Sequence, residues 1–177
     1  LNRAGAPVIG CTMDVDHEGE VLARGNMIME GYWEQPEATA EAIREGFFHT
    51  GDGGSIDAAN YVTISDRKKD VIISGGENVS SIEVEDAIFQ HPEVTEVAVI
   101  GIPDEKWGEL VTALVVTTPG SELSEEDVIS WTRTKLAGYK CPKKVEFRTE
   151  LARTATGKLQ KFKLRQPFWE GHDRQVN

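Results

Sequence analysis

The stretch Asp66-Arg67-Lys68-Lys69-Asp70-Val71-Ile72-Ile73-Ser74-Gly75-Gly76-Glu77-Asn78-Val79 divides this chain into two kinds of pattern. Its first five residues are all charged and offer a core nothing to bury, so they read as a linker. The next three are β-branched and read as a strand, which the paired glycines turn back toward Val79. A domain boundary is therefore predicted near residue 66, with residues 1–65 and 66–177 forming different units and residues 66–70 the joint.

Downstream of the joint, extended and helical patterns alternate. Ser81 is a suitable N-cap for a helix over 82–90 whose apolar positions are Ile82, Val84, Ala87 and Ile88. Residues 94–102 and 110–117 are apolar enough for well-covered strands. Ser124, with Asp127 three residues on, approximates a capping box and starts a helix through Leu136 that Gly138 ends. Residues 145–148 make a last short strand and residues 159–165 a basic terminal helix. That order predicts an α+β unit with its helices packed on a short sheet.

Upstream, residues 20–32 read as a short strand followed by glycine-punctuated turns. Pro36 opens a helix over 37–44 that Gly46 stops. Residues 47–50 form a strand entering a turn at Gly51-Asp52-Gly53-Gly54. Residues 55–56 and 61–65 are the arms of a hairpin around Asp57-Ala58-Ala59-Asn60, with Asn60 suited to positive φ.

With 177 residues, 39% hydrophobic and 28% charged, the chain suits one sizeable core or two small ones rather than disorder. No apolar run approaches the roughly 18 residues of a membrane span. Residue 1 is Leu with no basic-then-apolar leader, and a start without Met suggests a fragment. Cys11 and Cys141 belong to no Cys-x-x-Cys pair, which supports neither a metal cage nor a disulfide framework and fits a reducing cytoplasm. His17, His49, His91 and His172 have no ligand spacing, so no metal is expected in the protein itself. The net charge of −11 argues against general nucleic-acid binding, yet it is uneven: −8 over residues 1–65, −9 over 66–137 and +6 over 138–177. A basic tail on an acidic body is either a local polyanion contact or a solvated basic helix.

Several residues carry chemistry. In Thr50-Gly51-Asp52 a glycine turns the backbone so that a carboxylate at a strand end points into a cleft, where it can accept from the vicinal hydroxyls of a ribose; a surface turn has the same composition. Arg67 follows 15 residues later, across the predicted hairpin. Its planar fork suits phosphate or ribose, unless the cluster Asp66, Lys68, Lys69 and Asp70 merely neutralises itself. Gly75 and Gly76 make either a tight hairpin turn or bare backbone against which a narrow ligand passes. Thr154-Ala155-Thr156-Gly157-Lys158 reads as a flexible loop presenting one ammonium, a point charge suited to negative charge developing on phosphate oxygens. It is no Gly-x-x-x-x-Gly-Lys-Ser/Thr loop, because the first glycine is absent and Leu159 follows the lysine. Trp107, beside Gly108, is an edge anchor or a stacking platform. Lys140 and Lys143 face an anionic ligand or solvent.

Taken together, His49-Thr50-Gly51-Asp52, the stretch 66–79 and the run Leu151-Ala152-Arg153-Thr154-Ala155-Thr156-Gly157-Lys158-Leu159-Gln160-Lys161-Phe162-Lys163-Leu164-Arg165 resemble the adenylate-forming, or acyl-activating, enzymes over nearly the whole chain. The resemblance implies that residues 1–65 end the large AMP-binding domain and that residues 66–177 are the small mobile domain. It implies an acyl-CoA synthetase, in which a carboxylic acid and ATP give acyl-AMP, and CoA then displaces AMP. Asp52, Arg67 and Thr50 would bind the nucleotide and Lys158 would be catalytic. Lys69 would be the hinge, and Gly75, Gly76, Trp107 and Lys140 would meet the pantetheine and CoA. ATP, Mg2+ and CoA would serve the full enzyme, the magnesium arriving with ATP. The Gly-Gly-Glu-Asn turn favours CoA over other acceptors. Ala152 stands where the family commonly has Pro, which implies some loss of loop rigidity. The family also has a longer stretch between a segment like Gly5-Ala6-Pro7-Val8-Ile9-Gly10 and the strand at Gly19-Glu20-Val21, so residues are expected to be missing near 13–20. No phosphate-cradling loop or acyl pocket precedes these motifs, so the chain alone is expected to be inactive. Two alternatives remain: a stand-alone CoA- or nucleotide-binding regulatory module, and a polyanion-binding domain working through residues 138–177.

Overall fold

The computed structural model describes residues 3–172. They divide into two compact units, Leu1–Lys68 and Lys69–Asn177, and the fold is α+β.

The first unit is one antiparallel sheet. Its strands are β1 (Arg3–Gly5), β2 (Cys11–Val15), β3 (Glu20–Gly25), β4 (Ile43–Arg44), β5 (Phe47–Ile56) and β6 (Val62–Arg67), with helix α1 (Pro36–Ala42) before β4. They lie in the order β1-β6-β5-β3-β2, and β4 also pairs with β5. The turn between β2 and β3, where the family spacing led to an expectation of missing residues, closes on Asp16. Its carboxylate accepts the N–H groups of Glu18 (2.9 Å) and Glu20 (2.8 Å), and its carbonyl accepts that of Gly19 (3.1 Å).

Two local expectations fail in this unit. Gly51 to Gly54 is strand rather than turn, because Asp52 pairs with Arg67 and Gly53 with Asp66, and a register shift between Gly53 and Gly54 absorbs the irregularity. Helix α1 stops at Ala42 rather than Arg44, because Ile43 and Arg44 pair with Phe48 and Phe47. The hairpin at 57–60 forms as expected, with Asn60 at φ 64.

The second unit contains β7 (Ile72–Ser74), β8 (Glu77–Val79), β9 (Val94–Asp104), β10 (Gly108–Thr117) and β11 (Lys144–Phe147). Its helices are α2 (Ser81–Phe89), α3 (Glu125–Arg133) and α4 (Lys161–Trp169). A single 3-10 turn, Lys68–Asp70, lies at the junction. Strand β10 is central: antiparallel to β9, parallel to β11, and paired with β7 at Gly108 and Ser74. One core gathers Ile72, Val84, Ile88, Val99, Val111 and Val128. A second gathers Ile100, Leu114 and Leu151 with Leu159, Leu164 and Phe168. Each fully buried aliphatic side chain is worth about 1.5–3 kcal/mol, against about 0–1 kcal/mol for an exposed ion pair, so the apolar cores carry the stability.

Strand β9 pairs with no described strand except β10, and side chains satisfy its outer edge. The Val99 N–H donates to Glu85 Oε1 at 2.7 Å, and the Gly101 carbonyl accepts Trp169 Nε1 at 3.0 Å.

Helix ends differ from the sequence reading in three places. Ser80 is the N-cap of α2, its hydroxyl accepting the Glu83 N–H at 3.3 Å, and Ser81 is the first helical residue. The capping box at Ser124 and Asp127 forms, but α3 ends at Arg133. Beyond it Lys135 N–H bonds at three-residue spacing to the Thr132 carbonyl at 3.0 Å, Leu136 N–H keeps one four-residue bond to the same carbonyl at 2.9 Å, and the Thr134 hydroxyl donates to the Trp131 carbonyl at 2.7 Å. Leu159 bridges to Arg153, so α4 begins at Lys161 and runs past Arg165 to Trp169 with Pro167 inside it. No described helix is long and apolar enough to cross a membrane.

Candidate functional site

In the first unit, Asp52 and Arg67 are cross-strand partners. Arg67 Nε lies 3.4 Å from Asp52 Oδ1, with the two side chains 59% and 32% exposed. So wet a pair contributes little to stability, but it holds a carboxylate and a guanidinium side by side within reach of a ligand. Thr50 braces them: its hydroxyl donates to the Val21 carbonyl at 2.6 Å and accepts the Asp52 N–H at 3.1 Å.

Beneath this pair lies a polar cluster that the sequence did not announce. Glu20 is 4% exposed. Its carboxylate accepts the Gly51 N–H at 2.8 Å, lies 3.3 Å from His49 Nδ1 and accepts from Lys68 Nζ at 3.3 Å. Burial pushes the Glu20 carboxyl up; the Gly51 N–H, His49 and Lys68 outweigh it and leave it below its ordinary range. Lys68 also donates to Glu18 Oε2 at 2.7 Å, and that bond, opposed by burial and aided by Glu20, raises its pKa. Asp16, Glu20 and His49 have donor atoms within 4.8 Å of one another, as a metal ligand set would. Those donors are already committed, however: Asp16 to the turn, Glu20 to Gly51 and the Lys68 ammonium, and His49 to Arg44 Nη2 at 2.8 Å. The cluster is an internal brace under Gly51 and Asp52.

In the second unit, Ser74 pairs with Glu77, so Gly75 and Gly76 form a two-residue hairpin loop, with φ values of 62 and 84. Both central positions therefore demand the left-handed region, where glycine is at home. The Gly75 N–H donates to the Trp107 carbonyl at 2.8 Å. A Cβ on Gly75 would stand 2.9 Å from the Trp107 ring. Gly75→Ala is accordingly expected to cost about 2–4 kcal/mol, from the left-handed backbone and the forced displacement of the indole. Denaturant unfolding of the chain measures it; a loss under about 0.5 kcal/mol would mean that Trp107 yields freely.

Ile73, Gly76, Trp107, Gly108, Trp169 and His172 line a cleft of about 730 Å³. Above the Trp107 ring stand two ammonium groups, Lys143 at 4.6 Å and Lys106 at 5.0 Å from its centroid. Lys140 is engaged elsewhere: its Nζ donates to Glu83 Oε1 at 2.8 Å and Oε2 at 2.6 Å, and Glu83 raises its pKa. Of the two lysines weighed from sequence, Lys143 is the one that joins the Gly75–Gly76–Trp107 group.

Lys158 stands in a closed turn rather than a flexible loop. The Thr154 N–H donates to the Lys158 carbonyl at 2.8 Å, the Lys158 N–H to Thr154 Oγ1 at 3.0 Å, and Arg153 Nη1 to the Gly157 carbonyl at 2.8 Å. Arg153 is itself bound to Glu96 at 2.6 Å. The Pro that the family commonly has at Ala152 is thus replaced as a stiffener by hydrogen bonds. The Lys158 side chain is exposed and its ammonium has no partner among the described residues. Its basic neighbours differ: Arg153 pairs with Glu96, Lys161 with Glu85 at 2.7 Å and Arg165 with Asp70 at 3.3 Å. The positive charge of the tail is therefore largely consumed inside the unit, which disfavours a broad polyanion surface.

Residues 83–158 match the family described as the AMP-binding enzyme C-terminal domain. The chain is 47% identical over 151 residues to a feruloyl-CoA synthase of an Amycolatopsis species, covering 85% of this chain and 31% of that protein. It is 49% identical over 151 residues to a long-chain-fatty-acid–CoA ligase of Mycobacterium tuberculosis, covering 85% and 30%. The ATP-bound crystal structure of MatB from Rhodopseudomonas palustris superposes with a TM-score of 0.90 at 38% identity, covering 97% of this chain and 37% of that one. The chain thus spans about a third of the length of the curated relatives it matches. Its α+β fold agrees with these likenesses: the chain belongs to the AMP-binding, adenylate-forming enzyme family and carries that family's C-terminal domain.

Proposed function

We propose that this chain is the C-terminal portion of an ATP-dependent acid–thiol ligase, an acyl-CoA synthetase. The observation that carries the reading is Lys158, an exposed ammonium left uncommitted on a stiff turn while Arg153, Lys161 and Arg165 are paired. Residues 1–65 would end the large AMP-binding domain, residues 66–177 would form the small mobile one, and Lys69 within 66–70 would be the hinge.

In the first step a substrate carboxylate oxygen attacks the α-phosphorus of ATP; an acyl–phosphate bond forms and pyrophosphate leaves. Asp52 accepts from the ribose hydroxyls, Arg67 donates to ribose or phosphate oxygens, and Thr50 keeps Asp52 in place. Lys158 offsets the negative charge growing on the acyl phosphate and the departing pyrophosphate. Magnesium accompanies ATP as its counter-ion; the Asp16, Glu20 and His49 donors are committed and do not fit a resident ion. In the second step the CoA sulfur attacks the acyl carbon as a thiolate, its proton going to solvent, and AMP departs. Gly75 and Gly76 give the pantetheine arm bare backbone to pass, and Trp107 with Lys143 and Lys106 meets the anionic end of CoA. Lys140, paired with Glu83, sets the shape of that surface. Free cysteines, one of them buried with its thiol pushed up in pKa by that burial, fit a reducing cytoplasm.

The test is ATP–pyrophosphate exchange by the complete gene product with a panel of aliphatic and aromatic carboxylic acids. Acid-dependent exchange is expected. No exchange with any acid, together with CoA or nucleotide binding by the chain, would replace the ligase with a regulatory binding module.

A further inference from the structure

The face of α4 that meets the rest of the second unit carries Lys161, Arg165 and Trp169, each four residues from the next. Every one of them ends in a hydrogen bond to a different element. Lys161 Nζ donates to Ser81 Oγ at the start of α2 at 2.7 Å, and Trp169 Nε1 donates to the Gly101 carbonyl on β9 at 3.0 Å. Arg165, between them, reaches the junction. Its Nη1 donates to the Lys69 backbone carbonyl at 3.2 Å and to Asp70 Oδ1 at 3.3 Å, and the Arg165 and Asp70 side chains are each only 12% exposed.

We propose that Arg165 is a positioning residue that sets where the joint pivots: it fastens the peptide between Lys69 and Asp70 to the second unit, so that rotation is confined to ψ of Lys68 and to φ and ψ of Lys69. A peptide group is planar and turns as one body. Holding its carbonyl and the Asp70 side chain with one charged, mostly buried donor therefore fixes φ of Asp70, while ψ of Lys69, about the bond that enters the held plane, stays free. On the other side, the Lys68 ammonium is anchored within the first unit on Glu18 and Glu20. The first unit's hold thus reaches Lys68 and the second unit's hold begins at the Lys69 carbonyl, leaving three backbone torsions between them. Because Arg165 sits about one turn into the helix that follows the Lys158 turn, the element next to the exposed ammonium also grips the axle.

The proposal rests on Lys69 being the hinge, but its test requires no ligase activity. In the full 177-residue chain, ¹⁵N relaxation should give the amides of Asp70 and Val71 order parameters equal to those of β9 and β10, about 0.85. In Arg165→Ala they should fall below about 0.6 with β9 and β10 unchanged, and Arg165→Lys, which keeps a charged donor, should recover at least half the loss. Unchanged values at 70 and 71 in a folded Arg165→Ala chain overturn the proposal. So does equal loss in Arg165→Lys, because a restored charged donor would then not restore the hold. If Arg165→Ala does not fold, Arg165→Met keeps the apolar stem without the donors, and the same loss is expected; rigid amides there overturn it. A ligase reading that fails by pyrophosphate exchange leaves this result standing, and the reverse also holds.

Discussion

Lys158→Ala, in the complete gene product, is expected to slow acyl-adenylate formation by about a hundred- to a thousandfold, the range seen when one preorganised charge-stabilising donor is removed. Thioester formation from supplied acyl-AMP should stay within a few-fold of the parent rate. The size of the effect follows from the ammonium's setting. An exposed cation with no internal partner loses no intramolecular bond when it turns to phosphate oxygens, and the hydrogen-bonded turn from Arg153 to Leu159 holds its backbone meanwhile. Because the side chain is exposed and unpaired, truncating it should leave stability within about 0.5 kcal/mol, which separates a catalytic loss from a folding one. Pyrophosphate exchange reads the first half-reaction and CoA-dependent AMP release from isolated acyl-AMP reads the second. Equal loss in both would remove Lys158 from its assigned role.

Lys69→Pro is expected to do the converse, sparing adenylation while thioester formation falls by orders of magnitude. Proline fixes φ near −65° and restricts the residue before it. In this joint those are two of the three torsions that the Arg165 clamp leaves available, so the substitution removes most of the remaining freedom rather than one torsion among many. Single-turnover measurement of each half-reaction is the check. Thioester formation at the parent rate would end the hinge assignment. Lys69→Ala, which shortens the side chain without locking φ, should behave nearly as the parent does in both half-reactions.

The elements that sequence made visible are those whose cause is local. The β-branched run before Gly75, the Ser124–Asp127 cap and the turn at Asn60 are each decided within a few residues, and each forms. The motif residues were legible as residues: Asp52 and Arg67 do meet across a hairpin, and Gly75, Gly76 and Trp107 do share one corner. What escaped was decided by partners distant in sequence. Gly51 to Gly54 has turn composition, yet β6 supplies a ladder that keeps it extended. Glu20 gave no sign of burial, because its partners Gly51 and Lys68 lie 31 and 48 residues away. Lys140 and Lys143 are equivalent in sequence and separate only once Glu83, 57 residues before Lys140, claims one of them. The four-residue spacing of Lys161, Arg165 and Trp169 was present to be read as one helical face, but the charge of the two basic residues suggested solvent and not internal bonding.

The strand pair β9–β10 has a consequence for how this protein can vary. Register places Pro103 opposite Glu109, which makes Gly101 the diagonal neighbour on Glu109's own face. A methyl group at position 101 would fall on the Glu109 carboxylate and crowd Ile72, while that carboxylate accepts the Ile73 N–H at 3.3 Å just ahead of the paired glycines. Position 101 cannot be enlarged while the Glu109 carboxylate stays where it is. A lineage that enlarged residue 101 would first have to shorten residue 109, and in doing so would release the strand leading into the Gly75–Gly76 loop. The room at position 101 is therefore set by the same carboxylate that steadies the approach to the loop.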